Sequence, residues 1–218
     1  GYYRHSEGYT PKWPGMADFQ GRVVHPQTWP ADLDLTGKRV VVIGSGATAA
    51  TLIPAIAGQC AHVTMLQRSP TFFITGLNAN ELADTLRHLE IPSAWTHEIV
   101  RRKVLFDQAN FIRRCTAEPE VVRQELVAAV RAALGPEHGH LVAEHFNPRY
   151  RPWQQRIAFV PDADLFKAVR SGQASVVTDQ IEAFTPDGIQ LQSGAQLQAD
   201  VVVTATGFHL NVLGDIHF

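Results

Sequence analysis

Cysteine is scarce in this chain. Its 218 residues hold two, Cys60 and Cys115, far apart in sequence. They form neither a CxxC pair nor a zinc-ligand spacing, so a dithiol redox centre and a cysteine-built zinc site are excluded. The missing pair argues against the dithiol–disulfide reductases and makes a reducing, cytoplasmic compartment the expectation. Long apolar runs are also missing. None approaches the roughly 18 residues that span a bilayer, so no transmembrane segment is expected. No signal peptide is visible. A charge excess is absent too: the net charge is −2, and nucleic-acid binders carry a basic patch or stripe, so no nucleic-acid partner is expected. The basic clusters Arg101, Arg102, Lys103 and Arg113, Arg114 fall at helical spacing and read as solvated faces. His138 and His140 read as a polar loop, and no metal is expected. The chain opens GYYRHSEGY without a start Met and reads as a piece of something longer.

What is present is 45% hydrophobic residues, enough for one large core or two small ones. Residues 1–36 are rich in Gly, Pro and aromatics without a sustained period, the composition of a connector. Within them FQGRVVHPQTWP, residues 19–30, fits neither a helix nor a strand period. KRVVVI (38–43) is short, apolar and β-branched, as a buried parallel strand should be. A turn and helix follow in GSGATAATLIPAIA, then a second strand in HVTMLQR (62–68), giving half of a βαβ unit. Apolar spacing of the 3.6 type then runs through 78–134, with Pro92 and Pro119 at helix starts. Residues 139–154 return to loop composition. ADLFKAVRSG predicts a helix stopped by Gly172, ASVVTD a strand, and residues 181–198 a small antiparallel meander with PDG and SG turns. ADVVVTATGF closes with a buried strand running into a glycine turn. The fold class is α/β: a Rossmann-like parallel sheet with a helical insertion and a β-meander.

The chemistry-bearing motif is GxGxxA at Gly44, Gly46 and Ala49, after a strand and opening a helix. The first Gly allows a tight turn. The second lets backbone approach a pyrophosphate, and the small third residue lets helix and strand pack closely. Phosphate charge then sits at the helix N-terminus among free N–H groups, from Ser45, Ala47 and Thr48 onward. At the end of the second strand an NAD site carries Asp or Glu. This chain has Gln67, Arg68 and Ser69 instead. A guanidinium can pair bidentately with a 2′-phosphate and Ser69 can add a hydroxyl, so NADPH is the expected cofactor.

The segment at 19–30 resembles the FxGxxxHxxxW[P/D] fingerprint of the Baeyer–Villiger monooxygenases, with Phe19, Gly21, His25, Trp29 and Pro30 at its positions. The related flavin-containing monooxygenases usually carry another aromatic in place of Trp29. GSGATA resembles the family's second nucleotide loop and QRSP its NADPH-phosphate segment. Asp200 with Ala205, Thr206 and Gly207 resembles its late ATG segment. The likeness covers nearly the whole chain and is nearest the ethionamide-activating type.

The resemblance implies an FAD-binding half outside this chain, which has no second GxGxxG. It divides the chain into a linker at 1–36, an NADPH-binding domain at 37–76 and 155–208, a helical insertion at 77–154 and the start of a return to the FAD domain at 209–218. It assigns Arg156 the stabilisation of negative charge on a peroxyflavin. Gln155 falls where many relatives carry a Lys that grips the 2′-phosphate. His25 is implied to couple domain motion to flavin reduction, as a hinge. Trp29 is expected to anchor the linker onto the domain, and Phe19 and Gly21 to shape the same turn. The implied reaction uses NADPH, FAD and dioxygen to put one oxygen atom into a ketone or onto the soft sulfur of a thioether or thioamide. Two other functions stay open: an N-hydroxylating or flavin-containing monooxygenase without ketone activity, and a non-catalytic NADP(H)-binding module.

Overall fold

The computed structural model describes residues 2–216, so the return segment expected at 209–218 runs past the described residues. The chain begins with strand β1 (Tyr3–Gly8) and the short β2 (Arg22–Val24), followed by a 3-10 turn at Pro26–Thr28. Strand β3 (Arg39–Ile43), helix α1 (Ala47–Ala57) and strand β4 (His62–Gln67) come next, then β5 (Phe73–Gly76). Four helices follow: α2 (Glu81–His88), α3 (Ser93–Ala117), α4 (Pro119–Leu134) and α5 (Leu141–His145). Strand β6 (Ala158–Pro161), helix α6 (Asp164–Arg170) and strand β7 (Ala174–Thr178) lead into the meander β8 (Ile181–Thr185), β9 (Gly188–Leu191) and β10 (Gln196–Gln198). Strands β11 (Val201–Thr204) and β12 (Phe208–Leu210) end the described fold.

Five strands form one parallel sheet in the order β2-β11-β3-β4-β7. Its central strands read VVVI and VVVT because a parallel strand buried on both faces has no solvent side to be polar. Alternate residues divide between two layers. Val40, Val42, Met65, Val201 and Val203 face Ala49, Ala50, Ile53 and the α6 residues Leu165 and Phe166. Val41, Ile43, Leu66 and Val202 face the meander residues Phe184, Ile189 and Leu191. Ile53 has no exposed surface, and burying one such side chain contributes about 1.5–3 kcal/mol.

Pro92 and Pro119 open α3 and α4 as expected: Pro92 caps the one and Pro119 fills the first turn of the other, where no N–H is needed. The insertion leaves through β5 and returns through β6, which pair in parallel from Phe73↔Ala158 to Gly76↔Pro161. This clasp closes the base of the insertion and was not expected from sequence. Along α3, residues 101–109 are all exposed, as the solvated-face reading of its basic cluster expected. No described helix is long and apolar enough to cross a membrane.

Two sequence readings need correction. Residues 1–36 are not only connector, and RVV within the aperiodic stretch is β2, an edge strand of the main sheet. Three residues are too few to show a period, and what holds them is the partner β11, some 180 positions on. Strand β1 likewise pairs with β12 in an antiparallel ribbon. The stretch 139–154, read as loop, contains the short helix α5.

Asp200 is also relocated. It precedes β11, at the opposite end of the strand from Ala205 and about 16 Å away at the usual rise per residue. Its carboxylate accepts from the Arg39 backbone N–H at 2.8 Å, from Nε at 3.1 Å and from Nη2 at 2.8 Å. Its own backbone joins Arg39 and Arg22, so it locks the starts of β2, β11 and β3 in register. These hydrogen bonds from Arg39 lower its pKa to about 2. An Asp held below its unfolded value of 3.8 adds stability above that pH and loses it as pH falls towards 2. Asp200→Asn should therefore lower the melting temperature at pH 7, and the gap to the parent should close between pH 4 and pH 2. Melting curves across that range check this; a gap of constant size would mean that the charge is irrelevant.

Candidate functional site

The carboxyl ends of β3, β4 and β11 converge on the glycine loop. Gly44 has φ +126, and a Cβ there would lie 2.4 Å from the Ala205 carbonyl oxygen. No side chain fits, so this glycine is required by the fold itself. Ala205, from the late ATG segment, is thereby seated against the loop. Gly46 differs: its φ is −75 and a Cβ would meet nothing within 4 Å. It caps α1 without offering a side-chain acceptor, so the first-turn N–H groups of Ala47 and Thr48 face open space. Ala49 is wholly buried where helix and sheet touch. The Ser45 hydroxyl is 2.7 Å from that of Thr71, tying the loop to the chain after β4. The arrangement fits a pyrophosphate: a tight turn, an open approach and a helix N-terminus.

Beside the loop lies a cavity of ≈ 750 Å³, walled by Arg68, Ser69, Arg149, Tyr150, Gln154 and Glu144 among others. Arg68 and Ser69 are exposed there, and Arg68 makes no ion pair among the described residues. Gln67 does not join them. It is 3% exposed, and its amide donates to the His145 carbonyl at 2.7 Å and to the Thr178 hydroxyl at 2.9 Å. As the last residue of β4 its side chain points into the layer below, where it joins the sheet to α5. His145 completes this contact through Nδ1, 2.8 Å from Thr178 Oγ1, and burial lowers its pKa so that the ring stays neutral. Gln155 is exposed and is not part of the cavity wall; its neighbour Gln154 is. Arg149 and Tyr150 lie in the stretch 139–154 read as loop, where no motif marks them as site residues. What sequence could not supply is that this loop folds back over the end of β4.

The fingerprint residues separate to the two ends of β2. Phe19 is buried, edge-on to Phe184 at 5.8 Å, and a Cβ on Gly21 would lie 2.4 Å from its ring. These two pack beneath the meander. His25 is at the other end. Its Nδ1 accepts from the Gln27 N–H at 3.1 Å and its Nε2 lies 3.0 Å from the Gly207 carbonyl oxygen. The first bond requires a bare Nδ1, so the proton is on Nε2 and donates to Gly207. The same carbonyl accepts from Tyr9 N–H at 3.0 Å, and Thr206 Oγ1 donates to the Tyr9 carbonyl at 2.6 Å. A Cβ on Gly8 would lie 2.0 Å from the imidazole. His25 thus sits at the root of the β1–β12 ribbon. Trp29 is 37% exposed and Pro30 half-buried, so Trp29 does not anchor the linker in a core.

Arg156 is exposed in the turn before β6 and pairs with no carboxylate among the described residues. Trp153, three residues earlier, takes φ +67 with its ring edge-on to Phe111 of α3 at 6.3 Å. A bulky residue held at positive φ marks a turn fixed by its surroundings.

No protein-family model matches the chain. Similar proteins are found by sequence. The FAD-containing monooxygenase EthA of Mycobacterium tuberculosis is 46% identical over 215 residues, covering 98% of this chain. The chain is a homologue of part of the FAD-containing monooxygenases. It spans 43% of the length of EthA, and the same share of MymA from Mycobacterium tuberculosis, to which it is 46% identical over 218 residues. Among solved structures, an oxidized steroid monooxygenase bound to NADP superposes with a TM-score of 0.71 at 24% identity, over 96% of this chain and 46% of that one. A cyclohexanone monooxygenase gives 0.67 at 19% identity, over 96% and 47%. These likenesses establish the fold that the monooxygenase homologue shares with them.

The two loop glycines make opposite predictions. Gly44→Ala should destabilise by about 1–3 kcal/mol, through strain at positive φ and the clash with Ala205. Gly46→Ala should melt like the parent yet bind NADPH more weakly, because its methyl group fills the approach. Paired melts and NADPH titrations separate the two; a normal affinity in Gly46→Ala would show that no ligand approaches there.

Proposed function

We propose that this chain is the NADPH-binding part of an FAD- and NADPH-dependent monooxygenase acting on ketones or soft sulfur compounds. The observation that carries the cofactor reading is the free guanidinium of Arg68 at the end of β4, where an NAD site carries a carboxylate, beside an open glycine loop. The 46% identity to FAD-containing monooxygenases across nearly the whole chain supports the enzymatic reading.

NADPH, when bound, supplies a hydride, and the protein's task is to bind, orient and exclude water. The first-turn N–H groups of α1 would hold the pyrophosphate, with Gly46 leaving the approach open, and Arg68 and Ser69 would hold the 2′-phosphate. One strand–glycine loop–helix turn occurs among the described residues, so they fit a single dinucleotide. FAD is not fitted by them and is assigned to the rest of a longer protein. Arg156 is a cation free of any carboxylate partner, suited to stabilise negative charge that develops beside it. His25 holds the ribbon root in one hydrogen-bonded geometry, which supports a hinge role.

Arg68→Ala should raise the Michaelis constant for NADPH far more than that for NADH; equal effects would remove the phosphate-clamp role. For the reaction, the full-length protein is given NADPH, dioxygen, a ketone and a thioether. Ester or sulfoxide should accumulate, and Arg156→Ala should lower product formation about 100-fold or more. NADPH consumption with hydrogen peroxide as the sole product would sink the oxygenase claim.

A further inference from the structure

The cavity beside Arg68 contains a second cation. Thr178, at the end of β7, contributes to its wall. So does the loop after α5, and this loop is pinned on both sides of Arg149. Pro148 is buried. The Tyr150 hydroxyl accepts from the Phe72 N–H at 3.3 Å, and its ring stands edge-on to Phe72 at 5.2 Å. One residue further on, the Arg151 N–H donates to Gln154 Oε1 at 3.2 Å. The backbone of Arg149 is therefore fixed while its side chain is exposed in the cavity wall. Its guanidinium, like that of Arg68, has no carboxylate or hydrogen-bond partner among the described residues. Nearby Arg123 is already committed to Asn147 Oδ1 at 2.9 Å. One carboxylate, Glu144, shares the wall, but it is largely in solvent, where its repulsion is screened.

Two unpaired guanidiniums in the wall of one cavity match a ligand with close to two negative charges on three acceptor oxygens, which describes a phosphate monoester at neutral pH. Each guanidinium can form a bidentate pair. A neutral 2′-hydroxyl would satisfy neither. We propose that Arg149 is the second arm of the 2′-phosphate clamp, sharing the cavity wall with Arg68, and a determinant of NADPH over NADH. This rests on the NADPH reading above. It also explains how the chain does without a cation at Gln155: the second charge comes from Arg149.

The test uses calorimetry on the full-length protein with adenosine 2′,5′-bisphosphate and 5′-AMP as probes. The parent should prefer the bisphosphate. Arg149→Ala should weaken bisphosphate binding about 10- to 100-fold, the usual span for a lost charge-assisted pair, and leave 5′-AMP unchanged. Arg149→Lys should recover part of the loss. Arg149 is exposed, so unchanged melting curves will accompany these variants. Bisphosphate binding that survives Arg149→Ala but fails in Arg68→Ala would overturn the second arm and leave the NADPH reading standing. A parent that does not distinguish the two probes would overturn the NADPH reading, and the second arm with it.

Discussion

The fold depends on one long-range pairing. Strand β11, near the end of the described chain, inserts between β2 and β3, near its beginning. Until it arrives, β3 has an unpaired edge and β2 has no partner in the sheet. Its arrival sets three things together. Its start brings Asp200 onto Arg39, its body buries Val201 to Val203, and its end brings Ala205 against Gly44. The glycine loop is therefore shaped by a segment about 160 residues away from it. Pairings of such separation carry a large loop-closure entropy, so this sheet is expected to complete late in folding.

The same topology explains what could be read from sequence. Strands β3 and β11 are apolar on both faces and announce themselves as buried parallel strands, and β4 and β7 are short, largely apolar runs beside them. Helix α4 carries a clear period in Val122, Leu126, Val130 and Leu134, and both long helices have a proline at their start. GxGxxA announces a strand, a tight turn and a helix in local order, and the structure has that turn, with Gly44 at positive φ and Gly46 capping α1. Strand β2 and the β1–β12 ribbon were not legible, because their residues are short, mostly exposed and held by distant partners. The clasp of β5 and β6 was hidden for the same reason: the whole helical segment, with its loops, separates its halves.

The site divides along the same line. Arg68 and Ser69 could be found from their offset to the glycine loop. Gln67 shared that offset, yet the strand alternation turned its side chain inward to bind α5. Arg149 could not be assigned, because only the folded loop after α5 reveals which of Arg149, Arg151 and Arg156 borders the cavity. Arg156 and Gln155 lie elsewhere in that loop, apart from Arg68. Charge type was readable from sequence, but the direction in which each charge points was not.

The β1–β12 ribbon has a mechanical consequence. A single extended strand can swivel about any of its backbone bonds, whereas two hydrogen-bonded strands must move as one strip. Such a strip bends across its thin direction, resists shear and cannot spin. At its root the Gly207 carbonyl is shared by His25 and Tyr9, with Gly8 flat against the imidazole ring. Whatever is joined through this strip would swing on a single axis, as a door does on paired leaves, and the imidazole sits at the pin.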